Sequence, residues 1–227
     1  MNIFDRLQRN LFTPTQPEEL SDAQAKKRVE ATGLRVGERV DGFARRYLKP
    51  ETYERYRSSL RDLRYNITDL PSRVITFFNM FTGGIKRIVE GALAAYDERE
   101  NKILSNRYVA NNPENDQLEP AIAHERVHHA TRNFLRNYFE KLGEKARPIV
   151  EGFTELITRG LGYDSGAYQE FVYAAYQTLK RMGGDIRYNL YRVLNLEEDP
   201  ISVLKAFYNS LNQIQRQPVL QLVYSRR

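Results

Sequence analysis

The chain has 227 residues, 41% hydrophobic and 28% charged, the composition of a folded globular protein rather than a fibrous or disordered one. It has no cysteine, which excludes disulfides, thiolate zinc sites and a cysteine nucleophile; any transition metal must be held by His, Asp or Glu. The net charge of +6 implies weak attraction to polyanions, but acids interleave the bases: Glu30 follows Lys26-Lys27-Arg28, and Asp41 and Glu51 flank Arg45-Arg46.

In chain order, Ile3, Phe4, Leu7 and Leu11 mark one face of a short helix. It suits docking on the protein's own core, with a peripheral membrane contact as the weaker alternative. The segment lacks the apolar run of a secretion signal, so a cytoplasmic location is expected. Residues 13–21 read as a loop ending in Ser21 as N-cap, followed by a charged helical pattern to about Arg64. Pro71 is expected to open a helix carrying Val74, Phe77, Phe78 and Phe81, bent or broken at Gly83-Gly84. The apolar stretch 74–96 is too interrupted by polar and charged residues to span a membrane.

Residues 93–109 then read as two strands in a hairpin, the second over 102–109, and 110–117 as a loop. Pro120 suits the start of a long helix to about Leu142, stopped by Gly143. Pro148 opens another through about Arg159, and Gly160, Gly162 and Gly166 loosen the next connection. Further helices are predicted over 167–182, 186–194 and 200–214, with 219–224 extended. The fold class is α+β, mostly helical, with a small antiparallel sheet ahead of the long helix. The organisation reads as a helical N-terminal extension (1–70), a core (71–184) and a C-terminal helical segment with its tail (185–227).

All three histidines fall in His124-Glu125-Arg126-Val127-His128-His129. Four residues advance a helix by about 400°, so His124 and His128 project from one face, one turn apart. Two imidazoles placed so can converge on one zinc ion, and Glu125, one residue around, can reach water beside it as a general base. The competing reading is a polar helix face that happens to hold two histidines. Glu151-Gly152-Phe153-Thr154-Glu155, with 22 residues between His128 and Glu151, weighs against it. A turn over 141–147 folds the next helix back, so that Glu151 can face the imidazole pair as third ligand. Gly152 would let the two helices approach closely. Two histidines and a glutamate leave a position open, as a catalytic zinc requires.

HERVH followed by EGFTE resembles the gluzincin metallopeptidases, and within them the single-domain minigluzincins, over residues 85–184. The resemblance implies a zincin-like core, zinc as cofactor, and peptide or protein as substrate. It implies His124, His128 and Glu151 as metal ligands and Glu125 as the base. It also implies that Ile103, Leu104, Ser105 and Asn106 form the sheet edge along which an extended peptide lies. His129 and Val150 depart from the family pattern, with His129 expected in a supporting or surface role.

Tyr163 and Tyr168, after the ligand helix, are candidate oxyanion donors, against ordinary packing for either. Glu155 can orient a ligand imidazole or make a plain salt bridge, and Arg126 and Arg159 can pair with these acids. The strand-like tail from Val219 to Tyr224 could occupy the cleft as an added edge strand. Behind the peptidase reading stand a zinc-bearing protein without hydrolytic activity and, third, a basic helical nucleic-acid binder using the first 70 residues.

Overall fold

A computed structural model describes residues 19–70, 72–79, 84–91 and 93–215. The N-terminal amphipathic face, Pro71, and the tail over 219–224 lie outside the described residues. The molecule is α+β and mostly helical, as expected.

Helix α1 (Asp22–Tyr47) starts at Ser21, whose hydroxyl caps the Gln24 amide while the Gln24 side chain reaches back to the Ser21 amide. The helical pattern does not run unbroken to Arg64. Lys49 precedes Pro50 and is extended (ψ 147°), because the proline ring clashes with a helical predecessor. The chain restarts as α2 (Pro50–Ser59), tightens into a 3-10 turn over Leu60–Asp62, and enters strand β1 (Arg64–Thr68).

The helix expected after Pro71 is instead a strand, β2 (Ser72–Asn79), paired antiparallel with β3 (Gly84–Gly91); Val74 faces Val89 and Phe78 faces Ile85. Val74, Ile75, Thr76, Phe77 and Phe78 are β-branched or aromatic. Such side chains crowd the preceding turn of a helix and fit a pleated surface. Gly84 opens the partner strand rather than bending a helix.

The predicted hairpin forms as β4 (Ala94–Asp97) and β5 (Lys102–Asn106), turning through Asn101 at φ 46°. Residues 107–109 leave it early. The Asn106 side chain accepts from the Tyr108 amide and starts the short helix α3 (Arg107–Asn111). The sheet is mixed rather than antiparallel: β1 pairs parallel with β5, in the order β1-β5-β4. Ile103, Leu104, Ser105 and Asn106 therefore sit on the central strand, with both backbone edges engaged, and Ile103 and Ser105 are fully buried. They cannot be a peptide-binding edge; on that side of the sheet the edge is β4.

The long helix is two. Helix α4 (Leu118–Ala130) ends at Thr131 (φ −100°, ψ 17°), whose hydroxyl donates to the Val127 carbonyl at 2.8 Å, and α5 (Arg132–Leu142) continues to Gly143. Helices α6 (Arg147–Gly160), α7 (Gln169–Arg181), α8 (Ile186–Leu194) and α9 (Pro200–Gln215) follow close to their expected bounds.

One hydrophobic cluster joins Val36, Val40 and Phe43 of α1 to Val127 of α4, Phe134 of α5, Phe153 of α6, Leu179 of α7 and Phe207 of α9. A smaller one joins Val29 to Val109, Leu118 and Ile122. Residues before 70 and after 184 thus share packing with the residues between them. Helix α1 lies so close to α4 that a Cβ at Gly37 would stand 2.8 Å from the Arg126 guanidinium. Arg126 is buried there and donates to the Tyr56 hydroxyl at 3.3 Å; it is not a partner of the acids.

Candidate metal centre

The i, i+4 spacing on α4 brings His124 and His128 to one face, their Nε2 atoms 3.0 Å apart. Opposite them, α6 presents Glu151, whose Oε2 lies 3.0 Å from the His124 Nε2 and 3.4 Å from the His128 Nε2. The three residues form a group able to hold a metal ion. Tetrahedral coordination with zinc–nitrogen distances of about 2.0–2.1 Å sets ligand atoms roughly 3.3–3.4 Å apart, close to the spacing seen.

The hydrogen bonds around the imidazoles make the same case. Glu155, fully buried, places Oε2 2.9 Å from the His124 Nδ1, which therefore carries the proton and donates. The His128 Nδ1 lies 3.3 Å from the Thr154 hydroxyl. The His124 Nε2, the His128 Nε2 and the Glu151 Oε2 thus converge on one point, and with both rings turned so that Nε2 is bare they present three acceptors for a cation to bridge. Without a metal it is a second proton on His124: burial works against the imidazolium, but hydrogen bonds to Glu151 and Glu155 outweigh it and raise the pKa to about 10. Glu151 is held far below the usual carboxylate range; burial opposes this, and the hydrogen bonds from His124 and His128 prevail.

Glu155 thus takes the orienting role, and it also makes the salt bridge offered as the alternative. Its Oε1 accepts from the Arg159 Nε at 3.2 Å and from the Ser165 hydroxyl at 2.7 Å. Arg159 further donates to the Ala167 carbonyl at 2.8 Å and the Gln169 side chain at 2.9 Å. The connection over 161–168 is thereby tied to the carboxylate that orients His124. Gly152 permits a close approach, but to a different helix from the one expected. A Cβ there would stand 2.6 Å from the Phe171 carbonyl of α7, not against α4.

The structure separates the two tyrosines. Tyr168, in the left-handed region at φ 54°, stacks its ring on His124 with centroids 5.6 Å apart. Burial, then the negative charges of Glu151 and Glu125, push its hydroxyl up to about 12, so it stays a donor at neutral pH. Tyr163 is not brought to the site. It packs in the core beneath the Arg39 guanidinium, 5.1 Å above its ring, and its buried hydroxyl has no hydrogen-bond partner among the described residues. His129 points away as well, and it is buried rather than on the surface. It lies between the Tyr56 and Tyr96 rings with Nε2 2.9 Å from the Ser59 hydroxyl. Burial, then Arg126 and Arg132, lower its pKa to about 3.

His124, His128 and Glu151 open into a cleft of about 480 Å³. Glu125 lines it half-buried, with no hydrogen bond or ion pair on its carboxylate among the described residues. One wall is the edge strand β4, from Ala94 to Tyr96; the other carries Leu135, Phe139 and Val150. Sequence reasoning missed Thr154 and Ser165 at the site, and β4 as its border. Thr154 could have been found, since it precedes Glu155 on the same helix turn; Ser165 and β4 carry no local signal.

No helix among the described residues is long and apolar enough to cross a membrane. No protein-family model, curated protein or solved structure matches the chain, so the group of two buried histidines and a half-buried glutamate at the floor of this cleft carries the functional reading by its own geometry.

Proposed function

We propose that the protein is a zinc-dependent peptidase of gluzincin type. The observation that carries this reading is the convergence of the His124 Nε2, His128 Nε2 and Glu151 Oε2 at the floor of an open cleft, with the Glu125 carboxylate unengaged beside them. Three ligands with room for more fit a catalytic site, and the mixed imidazole and carboxylate set suits zinc. Zinc bound there would supply Lewis acidity to a peptide carbonyl and to water.

The chain's own residues do the rest. Glu125 takes a proton from the attacking water and returns it to the leaving amine. Tyr168, kept protonated and stacked on His124, offers its hydroxyl to the developing oxyanion. The outer edge of β4 offers ladder hydrogen bonds to an extended peptide, and Leu135, Phe139 and Val150 provide an apolar wall for its side chains.

The test is zinc content and cleavage of a peptide library by the wild type and Glu125→Gln. The wild type should bind one zinc per chain and cleave, while the variant keeps the metal and loses cleavage. A zinc-loaded wild type as inert as the variant would overturn hydrolysis; a chain that takes up no metal would overturn the site itself.

A further inference from the structure

Helix α6 lends Glu151 to the cleft and sets Glu155 behind His124, and its C-terminal half borders a second, separate groove of about 610 Å³. The groove runs between α1 (Arg39, Gly42, Phe43, Arg46 and Tyr47), the end of α6 and α8 (Arg187 and Leu190). The α1 residues recur at helical spacing, so they form one stripe about 12 Å long at ~1.5 Å per residue.

The floor is apolar and recessed. Phe43 and Ile157 are buried; Leu156, Leu161 and Leu190 are half-buried. None of the large hydrophobic side chains that stand exposed on the surface belongs to this lining, so its apolar atoms are set back rather than raised. The rim is cationic. Arg39, Arg46 and Arg187 line it with no Asp or Glu among them, and Arg46 and Arg187 make no ion pair or hydrogen bond among the described residues. Gly42 and Gly160 both line it, and a Cβ on either would meet nothing within 4 Å, so each position has room for a larger side chain.

We infer that this groove is a binding site for a medium-chain fatty carboxylate, its acyl chain laid along the stripe between Phe43 and Leu190 and its carboxylate held by Arg46 and Arg187. Charge complementarity selects the anionic head, since Arg46 and Arg187 beside an apolar floor are bidentate donors with no acceptor among the described residues. The apolar floor between Phe43 and Leu190 gives an acyl chain a surface to lie on, and the volume falls within the range of small-molecule sites.

The probe is decanoate, titrated calorimetrically into the full chain below its micelle concentration, with 1-decanol as the uncharged control. Decanoate should saturate at one per chain, and decanol should bind about tenfold more weakly or worse. The Arg46→Ala/Arg187→Ala double variant should weaken decanoate by about tenfold or more. Gly42→Leu should abolish binding by filling the groove, and because leucine is the better helix former its thermal midpoint should not fall. Gly160→Leu gives the same block from the opposite wall. Decanoate that fails to saturate, binds Gly42→Leu and Gly160→Leu as well as wild type, or binds no better than decanol overturns the proposal. None of these readouts involves zinc or peptide cleavage, so the result is independent of the function proposed for the cleft.

Discussion

The two faces of helix α4 make opposite use of the same side chain. On one, His124 meets two carboxylates of α6 and its imidazolium is favoured up to a pKa of about 10. On the other, five residues on, His129 meets two tyrosine rings and the charges of Arg126 and Arg132, and stays neutral down to about pH 3. Burial opposes the charge at both, so burial does not separate them; the sign of the neighbouring charges does. A histidine among acids is ready to exchange its proton for a metal, whereas a histidine among bases is a neutral packing group.

The contrast can be broken hardest on the acidic face. Glu125→Gln should lower kcat for peptide cleavage by roughly 10²–10⁴ with zinc content unchanged, measured by steady-state kinetics beside metal analysis. Tyr168→Phe should cost about 10²-fold in kcat, while Tyr163→Phe, on a ring held in the core, should leave kcat near wild type. Equal losses from the two would remove Tyr168 from the reaction. Glu155→Gln keeps the shape but not the charge behind His124, and should weaken zinc about 10- to 100-fold in a competition titration with a chromophoric chelator.

The smallest effect belongs to the basic face. The unfolded chain takes up a proton at His129 near pH 6.5, and the folded protein does so only near 3. The unfolded state therefore binds more protons in that window, and stability falls as the pH drops through it, by up to roughly 1.4 kcal/mol per pH unit. His129→Phe should flatten that slope, read from urea midpoints between pH 7 and pH 4. In metal-stripped protein His124 acts in the opposite direction. Its contribution is present below pH 6.5 and is lost as the pH rises toward about 10, so Glu151→Gln should weaken the alkaline loss. The variant should leave the His129 slope between pH 6.5 and about 5 in place, above the range where Glu151 itself takes up a proton.

What the sequence disclosed was local. The repeat of histidines at i and i+4, the carboxylates of Glu151 and Glu155 one turn apart, and the Ser21 cap are each contained in a few residues, and each recurs in three dimensions. Helices α8 and α9 lie close to the ranges 186–194 and 200–214 predicted for them. The segment 72–91 misled because its dense apolar residues fit a helical spacing as well as an extended one; only β-branching separates the two readings. The order of the sheet was out of reach, because the pairing of Arg64 with Lys102 joins residues with the whole β2–β3 hairpin between them. The resemblance implied an edge at Ile103 to Asn106, and nothing local in the sequence showed β1 covering it. The tie from Ser165 to Glu155 was hidden for a simpler reason: a serine in a glycine-bearing loop has no period to betray what it touches.

The contact between Gly152 and the Phe171 carbonyl links the ligand helix to the next one without any side chain between them. Even one methyl group at position 152 would lever α7 outward by its start, where Tyr168 immediately precedes it. The damage from so small an addition would surface as a misplaced ring over His124 before it surfaced as a lower melting point, making this glycine a gauge of alignment more than of strength.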